Sequence, residues 1–237
     1  MKTKAAIIQS NYIPWKGYFD SINMVDVMVI YDDMQYTRRD WRNRNIIKTA
    51  QGNKWLSVPV EVSGKFHQKI NETLVADQVW KKSHLDILRL NYKQAPCFKE
   101  VWPWVEELYR SCDSLNLSRI NQHFIQAVNS YLGITTRIVR SEEFELAEER
   151  NQRLINICKD LGAEKYFSGP SAKAYMDLDL FEKNGIGVEF FEYSGYPEYN
   201  QMFPPFDHCV SILDLLFNTG PDAPYYIWGW REGSTKQ

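Results

Sequence analysis

Short apolar runs alternate along this chain with segments whose apolar residues recur every three or four positions, a rhythm that predicts strands and helices taking turns. Ala5 to Ile8 is the first run. It stops at Gln9, and apolar spacing resumes at Phe19 and Ile22, so a strand, a shaped loop and a helix over Gly17 to Asn23 are expected in that order. The run from Asp26 to Asp33 is nearly unbroken and ends in two acids, the pattern of a buried parallel strand delivering carboxylates to its carboxyl edge. Strand side chains alternate, so at most one of Asp32 and Asp33 would face a given site. Ile46 to Thr49 and Trp55 to Val60 flank a Gln51-Gly52-Asn53 turn and read as a hairpin.

From Asp77 to Leu132 the period becomes helical. Val79-Trp80, Leu85, Ile87-Leu88 and Tyr92 break at Pro96, and the spacing resumes through Trp102, Val105, Leu108 and Tyr109. Asn116 or Ser118 would cap a third helix, closed by Gly133. Lys81, Lys82, His84, Lys93 and Lys99 are expected to be mostly solvated. Thr135 to Arg140 resembles a strand, Glu148 to Leu161 a helix, Lys165 to Phe167 a short strand, and Gly187 to Tyr193 another strand. Cys209 to Asn218 returns to a short apolar helix with Ser211 and Asp214 on its polar side. This alternation predicts an α/β fold with a mostly parallel, doubly wound sheet, a β-hairpin insertion near 44–62 and a helical layer near 77–132, all in a single domain over 1–237.

Composition narrows the function classes. At 237 residues, 44% hydrophobic and 24% charged, the chain has ample material for a core and little for extended disorder. Aromatic content of 14%, with eight Trp and fourteen Tyr, tilts towards a ligand-binding protein. A net charge of −2 and a pI near 6.1 give no global field for a polyanion, so nucleic acid is not an expected partner; the one local basic patch is Arg38 to Lys48. No apolar segment has signal or transmembrane length, so membrane insertion is not expected and a cytoplasmic location is. Cys97, Cys112, Cys158 and Cys209 are widely spaced without a CxxC pair and should be reduced and mostly buried; no metal site is spelled out around them or around His84 and His123.

Three stretches carry candidate chemistry. The first is the loop after the opening strand, where Tyr12, Trp15 and Tyr18 bring large rings and Pro14 and Gly17 shape the backbone, at the strand end where open α/β sheets bind ligands. An aromatic lid packed on a core is the alternative. The second stretch, Met34 to Asn45, interleaves four arginines with Gln35, Asp40, Trp41, Asn43 and Asn45. Arginine forks grip carboxylate and phosphate bidentately, which suits a phosphorylated or nucleotide-linked ligand better than a merely solvated loop. The third is the Ser168-Gly169 turn, which would place backbone donors and a hydroxyl at a helix start, an arrangement that favours anions; the P-loop spacing is absent and plain Ser-Gly turns are common.

Gln9 to Tyr18, Asp32 to Tyr36, Asp40 to Asn45, Trp55 to Pro59, Tyr166 to Gly169 and Ser211 to Asn218 together resemble the WbqC-like family from end to end. The resemblance implies an association with bacterial O-antigen and surface-polysaccharide genes, and acyl or aminoacyl transfer, including glycyl transfer, to an amino sugar. The element order is also similar to that of the Rossmann-like HUP nucleotidylyl transferases. Laid on their phosphate-loop motif, Trp15-Lys16-Gly17-Tyr18 keeps the glycine but replaces both histidines, which speaks against adenylation chemistry and leaves nucleotide recognition open.

A transferase acting on a nucleotide-linked amino sugar needs a base for the amine, donors for the oxyanion and a clamp for the diphosphate. Asp33 or His208 is expected as base, Arg44 and Lys48 as clamp, Gln9 and Asn43 as orienting groups, and Tyr12, Trp15 and Tyr18 as stacking rings. Gly17, Gln35, Ser168 and Gly169 complete the expected substrate-binding set. His67 is a weaker base candidate, and Cys209 beside His208 is a weaker nucleophile. The opening loop, Asp33, Arg44 and Ser168 are expected to converge on one pocket. Beyond an acyl or aminoacyl donor no cofactor is assigned, ATP participation is left open, and no oligomeric state is assigned. The alternative class is a non-catalytic protein that binds a nucleotide sugar or glycan intermediate for a partner enzyme.

Overall fold

A computed structural model describes residues 2–233. In chain order it contains β1 (Thr3–Ile8), α1 (Lys16–Asn23), β2 (Val27–Ile30), β3 (Arg44–Thr49), β4 (Gly52–Ser57), α2 (Val79–Tyr92), α3 (Phe98–Arg110) and α4 (Leu117–Leu132). These are followed by β5 (Arg137–Arg140), α5 (Arg150–Asp160), β6 (Ala163–Ser168), α6 (Leu178–Lys183), β7 (Gly187–Phe190), α7 (Ile212–Thr219) and α8 (Gly229–Gly233). Contacts group the described residues into two compact units, one of 2–10, 21–34 and 134–194, the other of 11–20, 35–133 and 195–233.

The first unit is the predicted α/β sheet. Its strands run in the order β5-β2-β1-β6-β7 with every pairing parallel. From the central β1 the chain winds outward to β2 and β5 on one side and to β6 and β7 on the other. The direction of winding therefore reverses between β1 and β6, and loops leaving their carboxyl ends diverge to leave a crevice. On one face Ala5, Ile7, Val29, Tyr31 and Tyr166 pack with Leu154, Ile155 and Cys158 of α5 and Phe181 of α6 in one buried cluster. Glu149 caps α5, its carboxylate accepting from the amides of Asn151 at 3.0 Å and Gln152 at 2.6 Å. Strand β2 ends at Ile30, short of both acids, so strand alternation does not govern Asp32 and Asp33.

The second unit holds the antiparallel β3–β4 hairpin, turned at Gly52 with φ +102°, and the helices α2 to α4. Asn116 caps α4 by accepting from the Arg119 amide at 3.1 Å, and Gly133 closes it with φ +73°. Two expectations change here. His84 is buried rather than solvated, because its ring fills a gap between Trp80 and Tyr109. Asp214 is fully buried rather than on an exposed polar face: it accepts from the hydroxyls of Tyr92 and Tyr199, each at 2.7 Å, and from Gln201 Nε2 at 2.9 Å. Ser211 caps the same helix, accepting from the Leu213 amide at 3.3 Å.

Candidate functional site

In the first unit a cavity of about 280 Å³ opens at the carboxyl ends of β1, β2 and β6, where the winding reverses. Ile7, Ile8 and Gln9 enter it from β1, Tyr31 and Met34 from the segment after β2, and Ser168 and Gly169 from the end of β6. Arg150 and Tyr175 complete the polar side, with the guanidinium 4.1 Å from the ring centroid. A stacked guanidinium keeps its N–H edges for an anion, and among the described residues no carboxylate pairs with Arg150. The neighbouring Glu149 spends its oxygens on α5, so that helix start is already neutralised by its own cap and Arg150 is the anion-seeking group.

Gln9 is placed by the residue after it. Asp32 is buried and accepts from the amide of Ser10 at 2.8 Å and from its hydroxyl at 2.6 Å, which fixes the chain where β1 becomes loop. Asp33 is half-buried and accepts from the Ser141 hydroxyl. Tyr31 and Met34, on either side of these acids in sequence, line the cavity, whereas the acids themselves do not.

Most of the opening loop belongs to the second unit and is tied down at each residue. Tyr12 is fully buried: its hydroxyl donates to His84 Nδ1 at 2.9 Å and accepts from Tyr109 at 2.7 Å, and Trp80 and Phe124 flank its ring. Nε2 of His84 donates to the Ser57 carbonyl at 3.2 Å, and burial holds the imidazole neutral with a pKa of about 4. Ile13 has φ +36°, a strained value for a β-branched residue. Asn45 Nδ2 stabilises that turn by donating to the carbonyls of Ile13 at 2.9 Å and Tyr12 at 3.1 Å. Backbone bonds add the Tyr12 amide to the Trp41 carbonyl at 3.0 Å and the Ile212 amide to the Pro14 carbonyl at 2.9 Å. The Asp40–Asn45 block and the Ser211–Asn218 block therefore clasp the opening block. Gly17 serves the same packing, since a Cβ there would overlap the Trp15 indole.

Lys16 is buried with its ammonium donating to the Pro197 carbonyl at 3.2 Å and lying 5.1 Å, 5.5 Å and 5.9 Å from the ring centroids of Tyr196, Tyr199 and Phe206. Burial lowers its pKa to about 8. His208 packs edge-on to Phe206 at 4.6 Å, and burial together with the Lys16 charge lowers its pKa. Trp15 lines a cavity of about 220 Å³ with Asn11, Pro14, Trp41, Asn45 and Cys209.

The sequence model of the WbqC-like protein family matches residues 9–226, a range that contains all of these blocks. The chain belongs to the WbqC-like protein family. It is 51% identical over 224 residues to the uncharacterized protein Rv1507c of Mycobacterium tuberculosis (strain ATCC 25618 / H37Rv), covering 94% of this chain and 97% of that protein. No solved structure matches.

In this WbqC-like protein Gln9, Ser168 and Gly169 share the sheet-edge cavity, while Asp33 and Arg44 do not line it. Arg44 lies 4.0 Å over the Trp55 ring and donates to the Arg39 carbonyl. Lys48 is buried, its ammonium donating to the Pro205 carbonyl at 2.6 Å. Asn43 is spent on the Tyr36 hydroxyl at 2.9 Å and the Val58 carbonyl at 2.8 Å, Tyr18 is buried, and Gln35 donates to the Phe66 carbonyl at 2.8 Å. All four cysteines are free thiols, with Cys112 and Cys158 buried and Cys209 exposed. Among the described residues no group of three His, Cys, Asp or Glu could hold a metal ion, and no helix is long and apolar enough to cross a membrane. Arg150 and Tyr175 are polar lining residues that sequence reasoning does not single out for a site. Arg150 and Tyr175 meet only because α5 and the turn after β6 share one sheet edge, and no sequence spacing reports that.

Proposed function

We propose that this WbqC-like protein binds a nucleotide-linked amino sugar at the sheet edge and places an acyl or aminoacyl group on its amine, in bacterial surface-polysaccharide synthesis. The observation that carries this reading is the stacked Arg150–Tyr175 pair in a cavity at the winding reversal of a parallel sheet. Open α/β sheets bind nucleotides at that point, and a guanidinium without a carboxylate partner is suited to a diphosphate. Gln9 and Ser168 supply the polar groups that would orient the sugar. Asp33, adjacent in sequence to the lining residue Met34 and held by Ser141, is the base we assign: it would take the proton of the amine as its nitrogen bonds to the acyl carbonyl carbon, while the bond from that carbon to the donor's carrier breaks and the carrier leaves with the electron pair.

The test is product mass after incubation with an amino-sugar nucleotide and candidate acyl donors. Asp33→Asn is expected to lower turnover by about a hundredfold or more while nucleotide binding persists, the range for loss of a general base. The second reading, a non-catalytic binding protein, draws support from Asp33 and His208 both lying outside the cavity lining. It prevails if the nucleotide sugar binds and no donor gives a mass shift.

A further inference from the structure

The second unit carries a cavity that the proposed reaction does not use, and its walls are chemically distinctive. Trp15 and Trp41 supply indoles, Pro14 an apolar ring, Asn11 and Asn45 carboxamides, and Cys209 a thiol. No lining side chain is charged, which argues against a phosphate or any other ion as the occupant. Its volume of about 220 Å³ suits one six-membered ring with substituents rather than a dinucleotide-sized ligand.

The aromatic wall is built and held. Trp41 is 38% exposed, and its backbone is fixed on both sides, the amide donating to Asp40 Oδ1 at 2.7 Å and the carbonyl accepting from Tyr12 at 3.0 Å. Its ring sits 5.2 Å from that of Trp55, itself 41% exposed, which extends the indole surface outward. Trp15 is wedged against Gly17 and meets Tyr196 edge-on at 6.0 Å. The anchored Trp41 backbone and the packing of Trp15 against Gly17 and Tyr196 reduce the ordering that binding would cost.

The polar groups discriminate between ring ligands. A nucleobase is read by a matched edge of in-plane donors and acceptors, but the Asn45 amide is consumed by the Tyr12 and Ile13 carbonyls and by the Ile46 amide. What is left is Asn11, whose Oδ1 accepts from Arg42. An indole wall with a single amide matches a molecule with one C–H-rich face and a rim of hydroxyls. We propose that this cavity is a binding site for a neutral pyranose, stacked on Trp41 and hydrogen-bonded through Asn11. The site is independent of the sheet-edge reading, because its ligand carries no phosphate.

Cys209 lines the cavity and is exposed, so the rate at which its thiol is alkylated reports whether the cavity is occupied. The experiment alkylates the full chain with iodoacetamide and follows Cys209 by peptide mass, with glucose, galactose, N-acetylglucosamine, N-acetylgalactosamine or adenosine present. At least one of the sugars is expected to slow alkylation by about threefold at roughly twice its Kd, by mass action, with adenosine giving no protection. Trp41→Ala is expected to abolish protection and Trp41→Tyr to retain part of it, with circular dichroism unchanged in both. The proposal is overturned if no sugar protects Cys209, if adenosine protects and the sugars do not, or if Trp41→Ala is protected as well as the native chain.

Discussion

Tyr12 shows how one residue type can carry two meanings. In sequence it is a ring in a loop at the end of a strand, suited to stacking on a ligand; in the structure it anchors a buried chain from Tyr109 through its own hydroxyl to His84 and the Ser57 carbonyl. The loop position was legible from the stop at Gln9, but the partners lie 72 and 97 residues away in sequence, beyond any local pattern. This chain also makes a testable statement about pH. His84 stays neutral in the folded protein down to about 4, whereas an unfolded histidine takes up its proton near 6.5. As the pH falls through that window the unfolded state binds more protons, so stability is lost, by roughly 3 kcal/mol at the limit. Urea unfolding at pH 7 and pH 4.5 is expected to show that loss in the native protein and a shallower one in His84→Gln. Equal pH slopes for the two proteins would contradict the burial of a neutral imidazole.

Among the elements, those read from period alone carry over well. The parallel strands, the hairpin about Gly52 and the Asn116-capped, Gly133-closed helix follow from residues adjacent in sequence, whose signals are local. At the start of helix α7, Ser211 and Asp214, three positions apart, have the spacing of a polar face. Instead α7 is buried from Ile212 to Asn218, and Asp214 is the acceptor on which Tyr92, Tyr199 and Gln201 converge. Removing it strands the buried Tyr92 and Tyr199 hydroxyls, while Gln201 Nε2 keeps the Asp207 carbonyl. Asp214→Ala is expected to lower the unfolding free energy by roughly 3 kcal/mol, with Asp214→Asn less severe, as measured by urea denaturation. The elements after β1 make a similar point: Asp32 clamps Ser10, so Asp32→Ala is expected to raise hydrogen exchange at the Ser10 amide while the helices α2 to α4 keep their protection.

At the scale of the whole molecule, the sequence blocks that carry the resemblance to the WbqC-like family divide by role. Several clasp the opening loop, through Asn45, Trp41 and Ile212, and are explained by packing. Others, Gln9 and Ser168-Gly169, reach the sheet-edge cavity. The segment 35–133 enters between β2 and β5, so strands paired in the sheet are more than a hundred residues apart in sequence, which is why the site's membership was less legible than its position. The central claim is that this cavity takes a nucleotide-linked ligand through Arg150. Its most direct test is calorimetric titration of a nucleotide-linked amino sugar into the native protein and into Arg150→Ala, with folding of both checked by circular dichroism. A native affinity reduced about tenfold or more by the substitution, equivalent to at least about 1.4 kcal/mol, is the predicted result. An unchanged affinity in Arg150→Ala, or no binding to the native protein, would contradict it.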